Sequence, residues 1–95
     1  MKDATWPFDE PPNCVVFSVH EIVFGGKPIL FVSHDKDGDW QFLTSEPARR
    51  DDAAVVGLKE IVDRDRSVLE LADLPSGWIA TRRSANAPWE RSERS

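Results

Sequence analysis

The residues best suited to chemistry form a short acidic stretch near the middle of the chain. Asp35, Asp37 and Asp39 alternate along it, and Glu46 stands at the twelfth position counted from Asp35. Carboxylates at the first, third, fifth and twelfth positions are the ligands of an EF-hand calcium loop. The sixth position of that loop requires glycine, but here it is Trp40, and the flanking segments resemble strands rather than helices. We therefore predict a solvated hairpin loop and no metal site.

Histidine and cysteine supply the other reactive side chains. His20 and His34 are the only histidines, and Cys14 is the only cysteine. The histidines with Asp35 have the ligand types of a two-histidine, one-carboxylate metal site, and Cys14 with His20 has those of a nucleophile and its base. The sequence contains no H-x-x-x-H spacing, no third orienting group and no glycine-rich nucleotide motif. We predict a protein without catalytic residues, bound metal or cofactor; the alternative is a small metal-dependent or Cys/His hydrolase.

Composition limits the class of protein. The 95 residues predict one domain. A net charge of −5 argues against nucleic acid as a partner and suits a basic protein partner. One cysteine excludes an internal disulfide and fits a reducing compartment. Because the chain has neither a signal-like apolar segment nor a membrane-spanning stretch, we expect a cytoplasmic location and no membrane partner.

A β-hairpin is the element expected to present the acidic stretch. Residues 29–34 are a largely apolar run suited to the centre of a sheet, and residues 40–44 are a second strand-like run. Gly38 lies between them and takes a positive φ without steric cost. The Asp35–Asp39 stretch is therefore expected to be the hairpin loop.

The remaining patterns predict an α+β domain. Strands are expected at residues 14–18 and 78–82, and a turn of either strand or helix at 19–24. Apolar spacing predicts a helix over residues 53–64, capped by Asp51 or Asp52, and a short helix over 68–74. The predicted fold is a small antiparallel sheet of about four strands with one longer and one short helix packed on one face.

Three segments are expected along the chain. Residues 1–13 form a Pro- and acid-rich arm, in which Trp6 and Phe8 are expected to anchor onto the domain itself. Residues 14–83 form the domain. Residues 84–95 form a polar tail with a disordered end, although Trp89 is able to fold back onto the body.

One segment also carries a resemblance to known proteins. The series Asp73-Leu74-Pro75-Ser76-Gly77-Trp78-Ile79-Ala80-Thr81-Arg82, with Trp89 some residues later, follows a Gly25-Gly26-Lys27-Pro28 turn and the acidic loop. This order of features, over residues 14–91, resembles a family of small bacterial proteins of unknown function. Some members of that family are assigned as immunity proteins of polymorphic toxin systems. The resemblance implies a protein that acts by binding another protein, and it supplies no catalytic residues.

We therefore expect a small cytoplasmic binding protein, of the kind that neutralises a basic toxin domain by protein–protein contact. The predicted contact residues are Asp35, Asp37 and Asp39, which would steer a basic partner, and Trp40, which would anchor it. Another alternative is an accessory domain that forms a homodimer through an open sheet edge.

Overall fold

A six-stranded sheet is the framework of the computed structural model, which describes residues 6–46 and 50–94. The strands are β1 (Val15–Val19), β2 (Phe31–His34), β3 (Trp40–Leu43), β4 (Ala53–Gly57), β5 (Trp78–Thr81) and β6 (Glu90–Glu93). Their order across the sheet is β4-β1-β3-β2-β5-β6. Residues 1–5 of the predicted arm, residues 47–49 and Ser95 at the predicted disordered end lie outside the described residues.

The sheet is mixed, and this corrects the predicted antiparallel sheet of about four strands. β1 runs parallel to β3, with Phe17 beside Gln41, and the other neighbouring strands are antiparallel. The α+β class is confirmed. The parallel pair arises because β1 is not joined to β3 by a hairpin; α1 (His20–Val23), a turn and β2 intervene, and β3 returns between β1 and β2.

The predicted hairpin is confirmed. β2 and β3 pair antiparallel, with His34 opposite Trp40, and β2 is an interior strand, flanked by β3 and β5. The Asp35 N–H donates to the Asp39 carbonyl at 2.8 Å, and Gly38 takes a φ of +93°. This conformation strains any residue with a Cβ, which explains glycine at this position.

The long helix predicted over residues 53–64 is wrong in its first half. Residues 53–57 form β4, and α2 (Leu58–Arg64) begins only after Gly57. Val55 and Val56 are β-branched and favour strands, Gly57 disfavours a helix interior by about 1 kcal/mol, and β1 offers a partner for all five residues of β4. Asp51 and Asp52 belong to a 3₁₀-helix, Arg50–Asp52, and so cap no long helix.

The other helices are short as well. A 3₁₀-helix, Arg66–Leu71, replaces the α-helix predicted over residues 68–74. It begins at Asp65, whose side chain accepts a hydrogen bond from the Ser67 N–H at 2.9 Å. Among the residues that the structure describes, none of these helices has the length and apolar character needed to cross a membrane.

The disorder predicted for the final residues, 91–95, is wrong for residues 91–93, which together with Glu90 form β6 along β5. All four side chains are exposed, so the apolar alternation that indicates a strand is missing. Side chains anchor the segment instead: Arg91 donates to the Glu70 carbonyl at 2.6 Å and to Asp73 at 2.8 Å. Trp89 packs against the core, as the sequence allowed.

One face of the sheet carries the core. Val16, Val32, Phe42 and Ala80 project from it and are fully buried. α1, α2 and the 3₁₀-helix Arg66–Leu71 pack on this face through their apolar residues, which belong to the same cluster: Ile22, Leu58, Ile61, Val62, Val68 and Leu71. The opposite face, called the outer face below, receives none of these helices.

Candidate protein-binding surface

The outer face is defined by the strand residues that alternate with the core residues. Strand register places these side chains on it: Val15, Phe17, Phe31, Ser33, Gln41, Ala53, Val55, Ile79 and Thr81. Because successive strand residues point to opposite faces, the assignment follows directly from the buried ones.

An apolar row lies at one side of the outer face. Val15 and Val55 are 60% and 61% exposed, and Phe17 is 41% exposed. Phe17 and Val55 are directly opposed across β1 and β4, so their side chains form one continuous patch. We call Val15, Phe17 and Val55 the apolar row. Contiguous exposed apolar surface of this kind is typical of an interaction site.

The acidic loop lies at one end of the apolar row. Phe17 is beside Gln41 in the parallel pair of β1 and β3, so the same register brings Val15 level with Asp39. Asp37 and Asp39 are both exposed. A partner that covers the apolar row would therefore meet carboxylates at its end.

Asp35 differs from the other two loop aspartates because it is held by the sheet. Its carboxylate accepts hydrogen bonds from the Ser33 hydroxyl at 2.8 Å and from the Gln41 amide at 3.3 Å. It is half-buried, and these bonds fix the loop to the outer face. The structure thus brings the three predicted aspartates together but gives Asp35 a structural contact.

Trp40, the predicted anchor for a partner, is a core residue. It is 1% exposed, with its ring stacked on His34 at 4.0 Å and packed edge-on against Phe8 at 5.4 Å. Its indole N–H donates to Glu10 at 3.1 Å. Even-numbered residues of β3 point to the core, so Trp40 lies on the face opposite Gln41 and does not reach the loop surface.

Phe17 and Val55 are the surface residues that sequence reasoning missed. In the strand predicted at residues 14–18, alternation places Val15 and Phe17 on one face, but the pattern does not say which face is covered. In the helix predicted over residues 53–64, the spacing places Val55 on the apolar side. The Val-Val-Gly sequence at residues 55–57 was the one signal for a strand there.

A groove lies beside the apolar row, towards the middle of the outer face. It has a volume of about 390 Å³ and is lined in part by Phe31, Gln41, Leu43 and Arg94. Arg94 is held there by its own N–H, which donates to the Gly77 carbonyl at 2.9 Å. The outer face therefore combines apolar, acidic and basic groups.

The histidines and the cysteine do not converge. His20 follows β1 and Cys14 precedes it, so the length of a five-residue strand, about 16 Å, separates them. His34 has different neighbours. Its Nδ1 lies 2.8 Å from the Leu74 carbonyl oxygen, and its Nε2 lies 3.9 Å from the Glu10 carboxylate. Within residues 6–46 and 50–94, no three side chains of the histidine, cysteine or carboxylate type are arranged to hold a metal ion.

The environment of Cys14 also disfavours a nucleophilic thiolate. Burial raises the pKa of the Cys14 thiol, and the negative charges of Glu10 and Asp39 raise it further. Reactive cysteines have the opposite surroundings, with a positive charge or a helix N-terminus nearby.

A buried ion pair anchors the segment that leads to β6. The Arg82 guanidinium pairs with Asp65, donates to the Ile29 carbonyl at 2.9 Å and to Ser67 at 2.9 Å, and lies 4.1 Å from the centre of the Trp89 ring. Burial raises the pKa of Asp65, but hydrogen bonds from Ser67 and pairing with Arg82 outweigh it, so the pKa lies below its usual value. The side chains of Arg82 and Asp65 both have hydrogen-bond partners within the protein, which indicates that this ion pair has a structural role.

Comparison with known proteins adds no relative: no protein-family model, no curated protein and no solved structure matches the chain. The resemblance drawn from residues 14–91 therefore stays a prediction.

Proposed function

We propose that this protein is a non-enzymatic binding protein that recognises a basic protein partner through its outer face. The observation that supports this most is the apolar row (Val15, Phe17 and Val55), which is exposed on an outer face that none of the described helices covers, beside exposed Asp37 and Asp39. In this proposal Phe17 takes the anchoring role that the sequence suggested for Trp40.

The two parts of the surface have different physical roles. Burying the apolar row supplies the favourable free energy of association, and an aromatic residue at its centre is a typical hot spot. The carboxylates of Asp37 and Asp39 accelerate the approach of a basic partner and select against acidic ones. The net charge of −5 acts in the same direction.

The particular activity that we propose is neutralisation of a basic toxin domain in the cytoplasm. It is supported by the sequence resemblance to immunity proteins and by the acidic charge. Such a protein acts by occupying its partner's surface and requires no catalytic group.

The test is a pull-down with the tagged protein from a lysate of the source organism, at low and at moderate salt. We expect one stoichiometric basic partner that is captured by the wild type, lost with Phe17→Ser and weakened by the double variant Asp37→Lys with Asp39→Lys. Asp35 is left unchanged because its carboxylate holds the loop. The association rate of the double variant should also depend less on salt.

A matched control is available on the helical side of the sheet. Glu60→Lys with Glu70→Lys makes the same change in net charge at exposed positions of α2 and the second 3₁₀-helix. If this control weakens capture as much as the loop variant, net charge alone is responsible and the outer face is not the binding surface. Unchanged capture with Phe17→Ser would contradict the proposal directly.

A second candidate function is homodimerisation, which is favoured by the edge of β4, since no other described strand lies beside it. β4 is at the end of the strand order and contains no charged residue. Such an edge pairs readily with another strand. Light scattering distinguishes this candidate, because it requires a dimer in the absence of any other protein.

A further inference from the structure

The outer edge of β4 carries main-chain groups directed away from the sheet. The Leu58 N–H donates to the Cys14 carbonyl at 2.8 Å. In an antiparallel pair such bonded positions recur every second residue, so Val56 and Ala54 are the β4 residues that bond to β1. The N–H and C=O groups of Ala53 and Val55 consequently point outward, where no strand lies beside β4 among the described residues.

In the part of the chain that the structure describes, this edge lacks the features that normally protect an exposed strand. Protected edges carry lysine, proline, a bulge or a covering segment. The five residues of β4 are Ala, Ala, Val, Val and Gly. By contrast β6, the strand at the other edge, is Glu-Arg-Ser-Glu and is charged along its length. The two edges therefore differ, and β4 is the one suited to accept a strand.

Side chains around the β4 edge indicate what kind of strand it would accept. Val55 projects from the outer face and is 61% exposed, so a neighbouring apolar side chain on that face would extend the apolar row. Asp51 and Asp52 immediately precede β4. Asp51 is exposed there, whereas the half-buried Asp52 carboxylate lies 3.7 Å from His20 Nδ1. An incoming strand with lysine or arginine at the matching end would meet opposite charge.

We propose that an extended segment of the basic partner pairs with the edge of β4 as a seventh strand. Its apolar side chains pack beside Val55 and Phe17, and its basic end faces the exposed Asp51. This inference rests on the proposed function, and it specifies how the partner binds: main-chain hydrogen bonds supply affinity, and alternate side chains supply selectivity. A second copy of this chain is a poorer occupant because each copy carries −5.

The test is titration of the isotope-labelled protein with a synthetic peptide in which valines alternate with threonines between lysine-capped ends. We expect the amide signals of Ala53 and Val55 to shift and their hydrogen exchange to slow on binding. A peptide with glutamates in place of the lysines should bind more weakly. The mapping uses the wild-type protein and so does not depend on the folding of any variant.

Val55→Pro tests the main-chain bond itself. Proline is tolerated in an edge strand where its nitrogen faces solvent, and it removes the outward N–H. We expect about tenfold weaker peptide binding, the effect of one lost hydrogen bond. The matched control is Glu93→Pro on β6, whose outward position follows from the bond between the Arg94 N–H and the Gly77 carbonyl. This control should leave the affinity unchanged.

The outcomes separate the two proposals. Shifts at Val15 and Phe17 without slower hydrogen exchange at Ala53 and Val55, together with unchanged affinity in Val55→Pro, would overturn strand pairing and leave the outer face as the binding surface. No shift at any residue with millimolar peptide would also overturn strand pairing. The proposed function fails on different results: capture of the partner by Phe17→Ser, or equal weakening of capture by the Glu60→Lys with Glu70→Lys control. If light scattering shows a dimer that Val55→Pro converts to a monomer, the occupant is a second copy and the present proposal is wrong.

Discussion

Replacing Phe8 by alanine should destabilise the protein severely, although Phe8 lies outside every helix and strand. The ring is 0% exposed and belongs to the core cluster, between Trp6 at 5.6 Å and Trp40 at 5.4 Å. Removing a buried phenylalanine side chain costs about 3–5 kcal/mol, because the transfer free energy is lost and a cavity remains. Domains of this size have about 5–15 kcal/mol in total. Phe8→Ala should therefore remove a large fraction of the free energy of unfolding.

The assay is urea unfolding followed by tryptophan fluorescence, which reports on the arm because two of the tryptophans contact Phe8. The midpoint should fall while the slope of the transition stays the same. In a thermal scan the midpoint should fall by at least about 12 °C.

Phe24 provides a control with identical chemistry. Its ring is 79% exposed, so Phe24→Ala should change the free energy of unfolding by less than about 0.5 kcal/mol. If both variants fall within about 1 kcal/mol of the wild type, Phe8 does not pack into the core in solution. The reasoning that joins the N-terminal arm to the domain would then be refuted.

Three further predictions concern charged groups. Arg82→Met should lower the free energy of unfolding by about 3–5 kcal/mol, measured by equilibrium unfolding, because the largely buried Asp65 carboxylate loses its cationic partner. A loss below about 1 kcal/mol would mean that the ion pair is screened by water. The pKa of Asp65 is lowered in the folded state, so its contribution to stability is present above the unfolded value of about 3.9 and is lost as the pH falls through the lower folded pKa. Unfolding measured against pH should show this acid loss in the wild type and a flatter profile in Asp65→Asn. Lys59→Ala should cost less than about 0.5 kcal/mol by denaturant titration, because its pair with Asp63 is an exposed contact one helical turn apart.

The N-terminal arm packs against Trp40, the aromatic residue next to the acidic loop in sequence. Glu10 accepts the indole N–H of Trp40, and its main-chain carbonyl accepts that of Trp6 at 2.7 Å. Strand alternation directs Trp40 to the core face, and its bond to Glu10 holds the arm against it. Of the two outer-face phenylalanines, Phe17 is exposed and Phe31 is half-buried, so Phe17 is the exposed aromatic residue beside the acidic loop.

Local sequence determined the elements whose partners are close along the chain. The β2–β3 hairpin follows from two apolar runs separated by turn formers, with Gly38 at the position that needs a positive φ. The burial of Phe8 was also predictable, because a large apolar side chain in a short arm gains most by packing on the domain. These features depend on residue types and on short separations.

Helical spacing, by contrast, misled over residues 53–57. Ala54, Val55, Leu58, Ile61 and Val62 fit a helical stripe, yet the stripe is real only from Leu58 onward. β1 pairs with all of β4, and that long-range pairing outweighs local periodicity. The hydrophobic pattern of one segment does not show whether a strand elsewhere in the chain can pair with that segment.

Tertiary structure alone decided β6 and the candidate surface. The Glu-Arg-Ser-Glu strand has no apolar alternation in its sequence. It forms because it pairs with β5 and because Arg91 donates hydrogen bonds to the Glu70 carbonyl and to Asp73. Sequence alternation places Val15 and Phe17 on one face and Trp40 and Phe42 on one face, but only the packing of the helices determines which face is covered. The sequence by itself determined the acidic loop and its charge. The tertiary structure decided which aromatic residue is exposed beside that loop, because burial depends on what packs against each face of the sheet.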